Sequence, residues 1–563
     1  MRILIPFLFV FNILFAQDKY PKDYFSSPLA IPLAIAGSFG ELRPNHFHSG
    51  IDFRTQKKEG FPVYATADGF VSRIKISTVG YGKSIYIDHP NGYTTVYGHL
   101  QSTAPAIQSI LNTEHYSKKS YEIEIFPKPN EIPVRKGDLI AYSGNTGNSG
   151  GPHLHFEIRD TKTEKIINPL FFGYDANFID TKAPQVSELL VYPLSDTSQV
   201  NGIQNPVAVS LSLQKDGTYL ASKIMASGKI GFGINAYDVS DNNYGKNGVY
   251  KLDAYLNGMP YYSSEFDSFS FDETKHINDF IDYPRYIIQN QRFQKLFVGY
   301  LYANNIIKNT KNNGIIDVSS NFTMNYKIVL HDFHGNETIV NIPISYANLP
   351  SIQVKEPIKT PYFLKARNDN SYAKEGFSVF IPANTFYDDF YLKFDVINKE
   401  LFLHDDSVAV NEKITITLDI TKISVSEREK MFIANLDGDK LEYNATSKSD
   451  SLFTIKTKKL GKFFLAKDTI APLIYKPNFS EGANLDDQQT LKISISDDLS
   501  GIASYNAYLN GAWILMEYES KLKRLTHNLS DNLYINGKNE FKIIVLDNLG
   551  NSTTFESNFN KTK

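Results

Sequence analysis

A chain of 563 residues with 42% hydrophobic content is too long for one core, and at roughly 100–200 residues per domain it should hold three to five. Its formal net charge of −3 offers no basic field, so neither nucleic acid nor an anionic membrane surface is an expected partner. Cysteine is absent, which excludes disulfides, thiolate ligands and a cysteine nucleophile and leaves histidine and carboxylate to build any metal site.

The chain opens with Arg2, an apolar run from Ile3 to Phe15 broken by Asn12, then Ala16 before the polar Gln17-Asp18-Lys19. That run is too short to cross a bilayer, and a small residue stands where a signal peptidase would cut. Residues 1–16 are therefore read as a signal peptide rather than a buried helix. No cysteine follows for lipid attachment, and no later stretch is apolar enough for a membrane helix. The expected product is exported, periplasmic or secreted, with no membrane span.

The next unit, residues 17–180, is distinguished by histidine: seven of the 12 lie between His46 and His155. FPVYATADGFVSRIKI, SIYIDH and YTTVYGHL read as strands, and Pro90-Asn91-Gly92 between the last two marks a hairpin. KGDLIAYSGNTGNSGGPHLHFEIRD adds two strands around a Gly/Asn/Ser loop. Residues 101–133 interrupt the strands with a predicted helix, APAIQSILNTEHYSKK, followed by EIEIFPKPNEIP. This insertion suits a groove wall, a lid or surface decoration.

The chemistry lies in three short pieces. HSGID places His48 and Asp52 four residues apart around a glycine. A strand over GPHLHFEI sends His153 and His155 to one face and Leu154 and Phe156 to the other. Two imidazoles on one face are expensive to pack unless something polar lies opposite. Two histidines and a carboxylate, with a fourth position left for water, form the donor set of a catalytic zinc site. Magnesium or calcium would take mostly oxygens. Zinc lowers the pKa of an attacking water, whose proton must be relayed while the tetrahedral oxyanion is stabilised. His153 and His99, the latter at the end of the YTTVYGHL strand, are the candidates. His46, His89 and His115 are expected to take no part, His89 facing solvent beside its hairpin and His115 lying at the surface. Glu157 shares the histidine face and could orient one of them, although a strand-end salt bridge is the simpler expectation.

GSFGELRPNHFHSGIDF, VYATADGFV, GYGKSIYIDHPNGYTTVYGHL, KGDLIAYSGNTG and GPHLHFEIR follow one another between about Ile35 and Pro169. In that order they resemble the LytM/lysostaphin-type zinc metalloendopeptidases. The resemblance implies an antiparallel β-sheet groove fold, a Zn2+ cofactor and cleavage of peptidoglycan stem peptides. Carried over by motif, it implies His48, Asp52 and His155 as metal ligands and His99 and His153 as catalytic residues. Some members of this fold are non-catalytic adaptors that have lost ligands. All five residues stand here, so an active endopeptidase is expected over a wall-binding adaptor that regulates another hydrolase. A structural zinc site would prefer four protein ligands, and three are present. The insertion at 101–133 replaces what is a short hairpin in the family, and no glycan-binding repeat is recognisable.

Beyond Asp180 the chain turns to strands and Asn/Asp/Gly turns, and its 35 tyrosines and 39 phenylalanines likewise favour strand over helix. Here it repeats itself. Lys182-Ala183-Pro184 and Ile470-Ala471-Pro472 open two units, each contains AYLNG (Ala254–Gly258 and Ala507–Gly511), and KIVLHDFHGNET matches KIIVLDNLGNST. Duplicated sandwiches explain this spacing better than a solenoid does. The predicted organisation is mainly β: the catalytic domain, an Ig-like β-sandwich at 181–348 with a long insertion, a β-sandwich at 349–466, and an Ig-like β-sandwich at 467–563. The sandwiches are the expected surface for an envelope protein partner. The turns YDVSDNN (Tyr237–Asn243) and SDDLSG (Ser496–Gly501) carry donors suited to calcium, but Asp and Asn favour Asx turns anyway, which is the expected role.

Overall fold

A computed structural model describes residues 19–241, 245–299, 305–319, 323–350, 358–531 and 533–562. The predicted signal peptide lies outside the described residues.

The N-terminal sheet is built from β1 (Ile35–Gly37), β2 (Ile51–Arg54), β3 (Gly69–Ile76), β4 (Lys83–Asp88), β5 (Tyr93–Gly98), β6 (Ile123–Ile125) and β7 (His153–Asp160). They line up as β1-β2-β7-β5-β4-β3-β6, each antiparallel to its neighbour. Strand alternation decides what each face does. Leu154, Phe156 and Ile158 of the central β7 enter a core with Phe53, Tyr97, Ile74 and Ile85. His153, His155 and Glu157 stand on the opposite face. The turn between β4 and β5 falls at Pro90-Asn91-Gly92, as the sequence predicts, with Gly92 at φ 83°.

The insertion is integral to this domain. Its helix α1 (Pro105–Lys118) starts with proline in the first turn, where no backbone donor is lost, and ends at Lys119 in the left-handed conformation. Ile107 and Leu111 face the core at helical spacing, and β6 then pairs along the edge of β3. His115, expected at the surface, is buried because it continues that spacing on the apolar face. Its Nδ1 lies 2.8 Å from the Ser120 carbonyl and its ring stacks on Tyr121. Leu111→Ala is expected to destabilise the N-terminal domain by about 2–5 kcal/mol through the cavity it leaves. An unshifted thermal transition for that domain would show that the helix is not packed in this way.

Both copies of the repeated unit touch the N-terminal domain. In the first copy, strand Ser268–Phe269 pairs with Ile166–Ile167, and Phe266 and Phe280 pack on Phe47, next to His48. In the last unit, Tyr116 of α1 donates to Asp531 (2.7 Å) and meets the Trp513 ring, while Lys83 pairs with Glu517 (2.7 Å). The two copies share local structure as well as sequence. Asn257-Gly258 and Asn510-Gly511, all at positive φ, turn equivalent hairpins. Thr338 and Thr553 bond the carbonyls of Pro184 and Pro472 at 2.5 and 2.6 Å. Separate apolar clusters fill the first copy, the middle stretch and the last unit. Two five-stranded sheets are built from strands of the middle stretch. Among the described residues no helix is long and apolar enough to cross a membrane.

Candidate metal centre

Sheet register brings the separated motifs together. On β7, His155 lies directly opposite Asp52 of β2 on one side and Gly98 of β5 on the other, so His99 follows immediately beyond the strand end. Gly50 allows His48 to come round to the same point. A Cβ there would stand 2.4 Å from the Phe156 carbonyl oxygen and 3.0 Å from the His155 ring.

Three donor atoms converge. His48 Nε2 is 3.1 Å from Asp52 Oδ1 and 3.2 Å from His155 Nδ1, and His155 Nδ1 is 2.8 Å from Asp52 Oδ1. Tetrahedral ligands about 2.0–2.1 Å from a zinc ion would be spaced about 3.3–3.4 Å apart, close to this triangle. The outer atoms of each ligand are already committed. His48 Nδ1 lies 2.7 Å from the Ser38 carbonyl, and His155 Nε2 lies 2.8 Å from Glu157 Oε1, so each ring can turn a lone pair inward. Arg43 takes the other Asp52 oxygen, Oδ2, at 2.6 Å, leaving Oδ1 for the centre. All three ligand candidates are buried. The donor set and its spacing fit a divalent metal such as zinc.

Electrostatics favours a cation at the same point. Burial pushes Asp52 toward the neutral form, yet His48, His153 and His155 hold it well below the usual carboxylate range. Burial lowers His48. Burial also opposes a charge on His155, but its hydrogen bonds to Asp52 and Glu157 overcome this and raise it to about 9.

His99 and His153 border the cluster, their ring centroids 4.8 Å apart. His99 sits at φ 58°, the left-handed region, at a cost of order 1–3 kcal/mol. Its backbone N–H on the Tyr81 carbonyl and its Nδ1 2.8 Å from the Thr146 carbonyl hold it there. Burial, with help from His155 and His153, lowers its pKa to about 3, so the ring is neutral. His153 Nδ1 lies 2.8 Å from the Gly151 carbonyl, while its Nε2 is buried without a hydrogen-bond partner, 3.4 Å from Asp52 Oδ1. That orphaned nitrogen faces the cluster.

Among the remaining histidines, His46 is exposed and bonds the Pro44 carbonyl (2.8 Å). His89, expected to face solvent, is buried. Its hairpin folds back onto Phe25, and its two nitrogens are each 2.8 Å from the Asp68 carbonyl and the Thr95 hydroxyl. Glu157 does more than the expected salt bridge: it meets Arg159 Nε at 2.7 Å and also holds His155, with the Tyr81 hydroxyl as a third donor. Arg43, Ser38 and Thr146 escape sequence reading because they act through one carbonyl or one hydrogen bond each, which no spacing rule marks. Glu157→Gln is expected to weaken metal binding about 10–100-fold, by analogy with other residues that orient metal-bound histidines. Competition against a chromophoric chelator would measure this, and an unchanged affinity would remove Glu157 from the centre.

Residues 46–111 and 128–169 match Peptidase family M23, and the candidate ligands and both outer histidines fall inside those two segments. The N-terminal domain is a peptidase family M23 domain. An uncharacterized metalloprotease of Haemophilus influenzae is 36% identical over 132 residues, 23% of this chain and 21% of that protein. The peptidoglycan DD-endopeptidase ShyB of Vibrio cholerae is 33% identical over 111 residues, 20% of each chain. The match thus spans about a fifth of the length of each of these relatives. Among solved structures, the catalytic domain of lysostaphin from Staphylococcus simulans is 22% identical, covers 25% of this chain and 91% of its own, and has a TM-score of 0.19. The unmatched gap, 112–127, begins within α1 and contains β6, so the M23 domain carries this segment as an addition. Residues 361–468 match a Zu5-like domain.

Proposed function

We propose that this chain is a zinc-dependent endopeptidase that hydrolyses peptide cross-links of bacterial peptidoglycan after export to the periplasm or beyond. The observation that carries the reading is the His48–Asp52–His155 triangle with the neutral His99 and the orphaned His153 nitrogen beside it. His48 Nε2, Asp52 Oδ1 and His155 Nδ1 would hold the zinc. The ion supplies Lewis acidity, which lowers the pKa of an attacking water and polarises the scissile carbonyl. The carbonyls at Nδ1 of His153 and His99 fix a proton on that nitrogen and leave Nε2 as the acceptor. His153 Nε2 would take the proton of the attacking water and hand that same proton to the leaving amine, while the unprotonated His99 Nε2 would accept a hydrogen bond from the water and hold it in place. Peptidoglycan as substrate is supported by the activity named for the Vibrio relative. We read the duplicated units, 181–348 and 467–563, as Ig-like sandwiches that present the M23 domain to an envelope protein partner.

Purified cross-linked peptidoglycan incubated with the chain, with and without a chelator, tests the reading by mass analysis of muropeptides. Dimeric muropeptides should disappear only when metal is present. Intact dimers after incubation with a zinc-loaded chain would sink it.

A further inference from the structure

In the first copy of the repeated unit the Asp-rich turns bring Asp180 and Asp332 together, and Asp238 lies near enough to feel both charges. Asp180 lies in the segment leaving the M23 domain, Asp238 follows strand Ile224–Tyr237, and Asp332 follows strand Thr323–His331. Asp180, Asp332 and His334 offer ligand atoms within 4.8 Å of one another. The Asp180 side chain is 3% exposed, Asp332 3% and Asp238 6%. Burial raises Asp238 to about 7, and Asp180 and Asp332 both contribute, which places the three carboxylates in one electrostatic neighbourhood.

Two further atoms distinguish this cluster from an ordinary set of turns. Asp238 Oδ1 is buried with no hydrogen-bond partner, and so is the side-chain oxygen of Asn247. Asp238 and Asn247 exchange both backbone hydrogen bonds (3.0 and 2.8 Å), so their side chains stand on the same face. Among the described residues no lysine or arginine forms an ion pair with any of the three aspartates, and the one basic side chain within 4.0 Å is that of His334, whose Nδ1 lies at that distance from Asp180. Buried charges are stable when paired or when they hold a metal. Orphaned acceptors call for a cation, and an oxygen donor set selects a hard one.

We propose that Asp180, Asp238, Asp332 and the side-chain oxygen of Asn247 bind a calcium ion where the M23 domain joins the first C-terminal unit. Four donors from separate segments suit the six to eight flexible oxygen ligands of calcium better than the strict octahedron of magnesium. The ion ties the connecting segment to the turn after Asp332. In that turn Phe333 packs on Phe171 of the M23 domain (5.2 Å between centroids), and Asn336 donates to the Asp180 carbonyl (3.0 Å). Calcium therefore stiffens the joint between the M23 domain and this unit. The last unit repeats the arrangement with Asp468, Asp497 and Asp547, and Asn551 serves Asp547 as Asn336 serves Asp332. Amides serve the aspartates in both units, Lys182 and Asn336 in the first and Ile470, Ser500, Leu499 and Gly501 in the last. Among the described residues only the first unit leaves a buried carboxylate oxygen, Asp238 Oδ1, without a partner, so the inference rests on the first joint.

The test is equilibrium dialysis of the full chain, stripped by chelation and reloaded with one equivalent of zinc, against radioactive calcium. The unsubstituted chain should bind calcium with a Kd of about 0.1–1 mM, as extracellular modules do. Asp332→Asn and Asp238→Asn should each bind one ion fewer, and calcium should raise the melting temperature of the unsubstituted chain more than that of either variant. Failure of the unsubstituted chain to bind calcium overturns the proposal whatever the variants do. An unchanged number of ions in both variants, each folded, overturns it as well.

Discussion

His155→Ala is expected to leave a folded chain that neither retains zinc at micromolar concentration nor cleaves peptidoglycan. Apparent binding energies of about 10–16 kcal/mol for four-ligand zinc sites assign about 2.5–4 kcal/mol to one ligand, or a loss of about 10²–10³-fold. Two features make His155 a stringent choice. Its Nδ1 forms two edges of the donor triangle, and its Nε2 reaches Glu157, which Arg159 and Tyr81 continue to serve after the substitution. The fold is thus spared while the site is dismantled. A pH dependence accompanies this in the unsubstituted chain. His155, raised to about 9 by Asp52 and Glu157 against the effect of burial, carries a proton below that pH which zinc must displace. Zinc affinity should therefore rise with pH up to about 9 and level off above it, with proton release on binding visible by calorimetry in buffers of different ionisation enthalpy. Retention of stoichiometric zinc by the folded variant at micromolar metal would falsify the ligand assignment.

The parts of the site legible in the sequence are those that depend on strand alternation and short spacing. His153 and His155 share a face because β7 is a strand, and the HSGID motif closes on that face because Gly50 leaves room. Their meeting with His99 depends on register between β7 and β5, which local sequence does not encode; there the resemblance supplied what spacing could not. The insertion shows the opposite limit. Its helix was readable, but its role depends on what packs against it, and Tyr116 meets Asp531, 415 residues away. A hairpin turn beside His89 and a polar stretch around His115 both point to the surface, but they describe only the local chain, whereas burial is decided by Phe25 and Asp68 in one case and by the apolar face of α1 in the other. Internal repeats were readable as words, and the paired Asn-Gly turns and threonine hydrogen bonds show them as structure.

His153→Ala and His99→Asn are expected to separate catalysis from metal binding, each lowering kcat by about 10²–10⁴-fold while about one zinc per chain remains. Neither ring belongs to the donor triangle, and each is held by a carbonyl at Nδ1, so removing it withdraws an acceptor facing the water while the three donor atoms of His48, Asp52 and His155 remain. Asparagine is the better replacement at position 99 because the backbone there is left-handed, a conformation it tolerates more readily than alanine does. Loss of stability is then kept apart from loss of function. The two substitutions combined should cost less than the product of the separate losses, since both groups serve one proton path. Should His153→Ala retain full turnover with zinc bound, the orphaned Nε2 beside Asp52 would have no part in the reaction, and His99 alone would have to carry the proton. That would be difficult for a ring whose burial holds its pKa near 3, far below the pH at which a base works well.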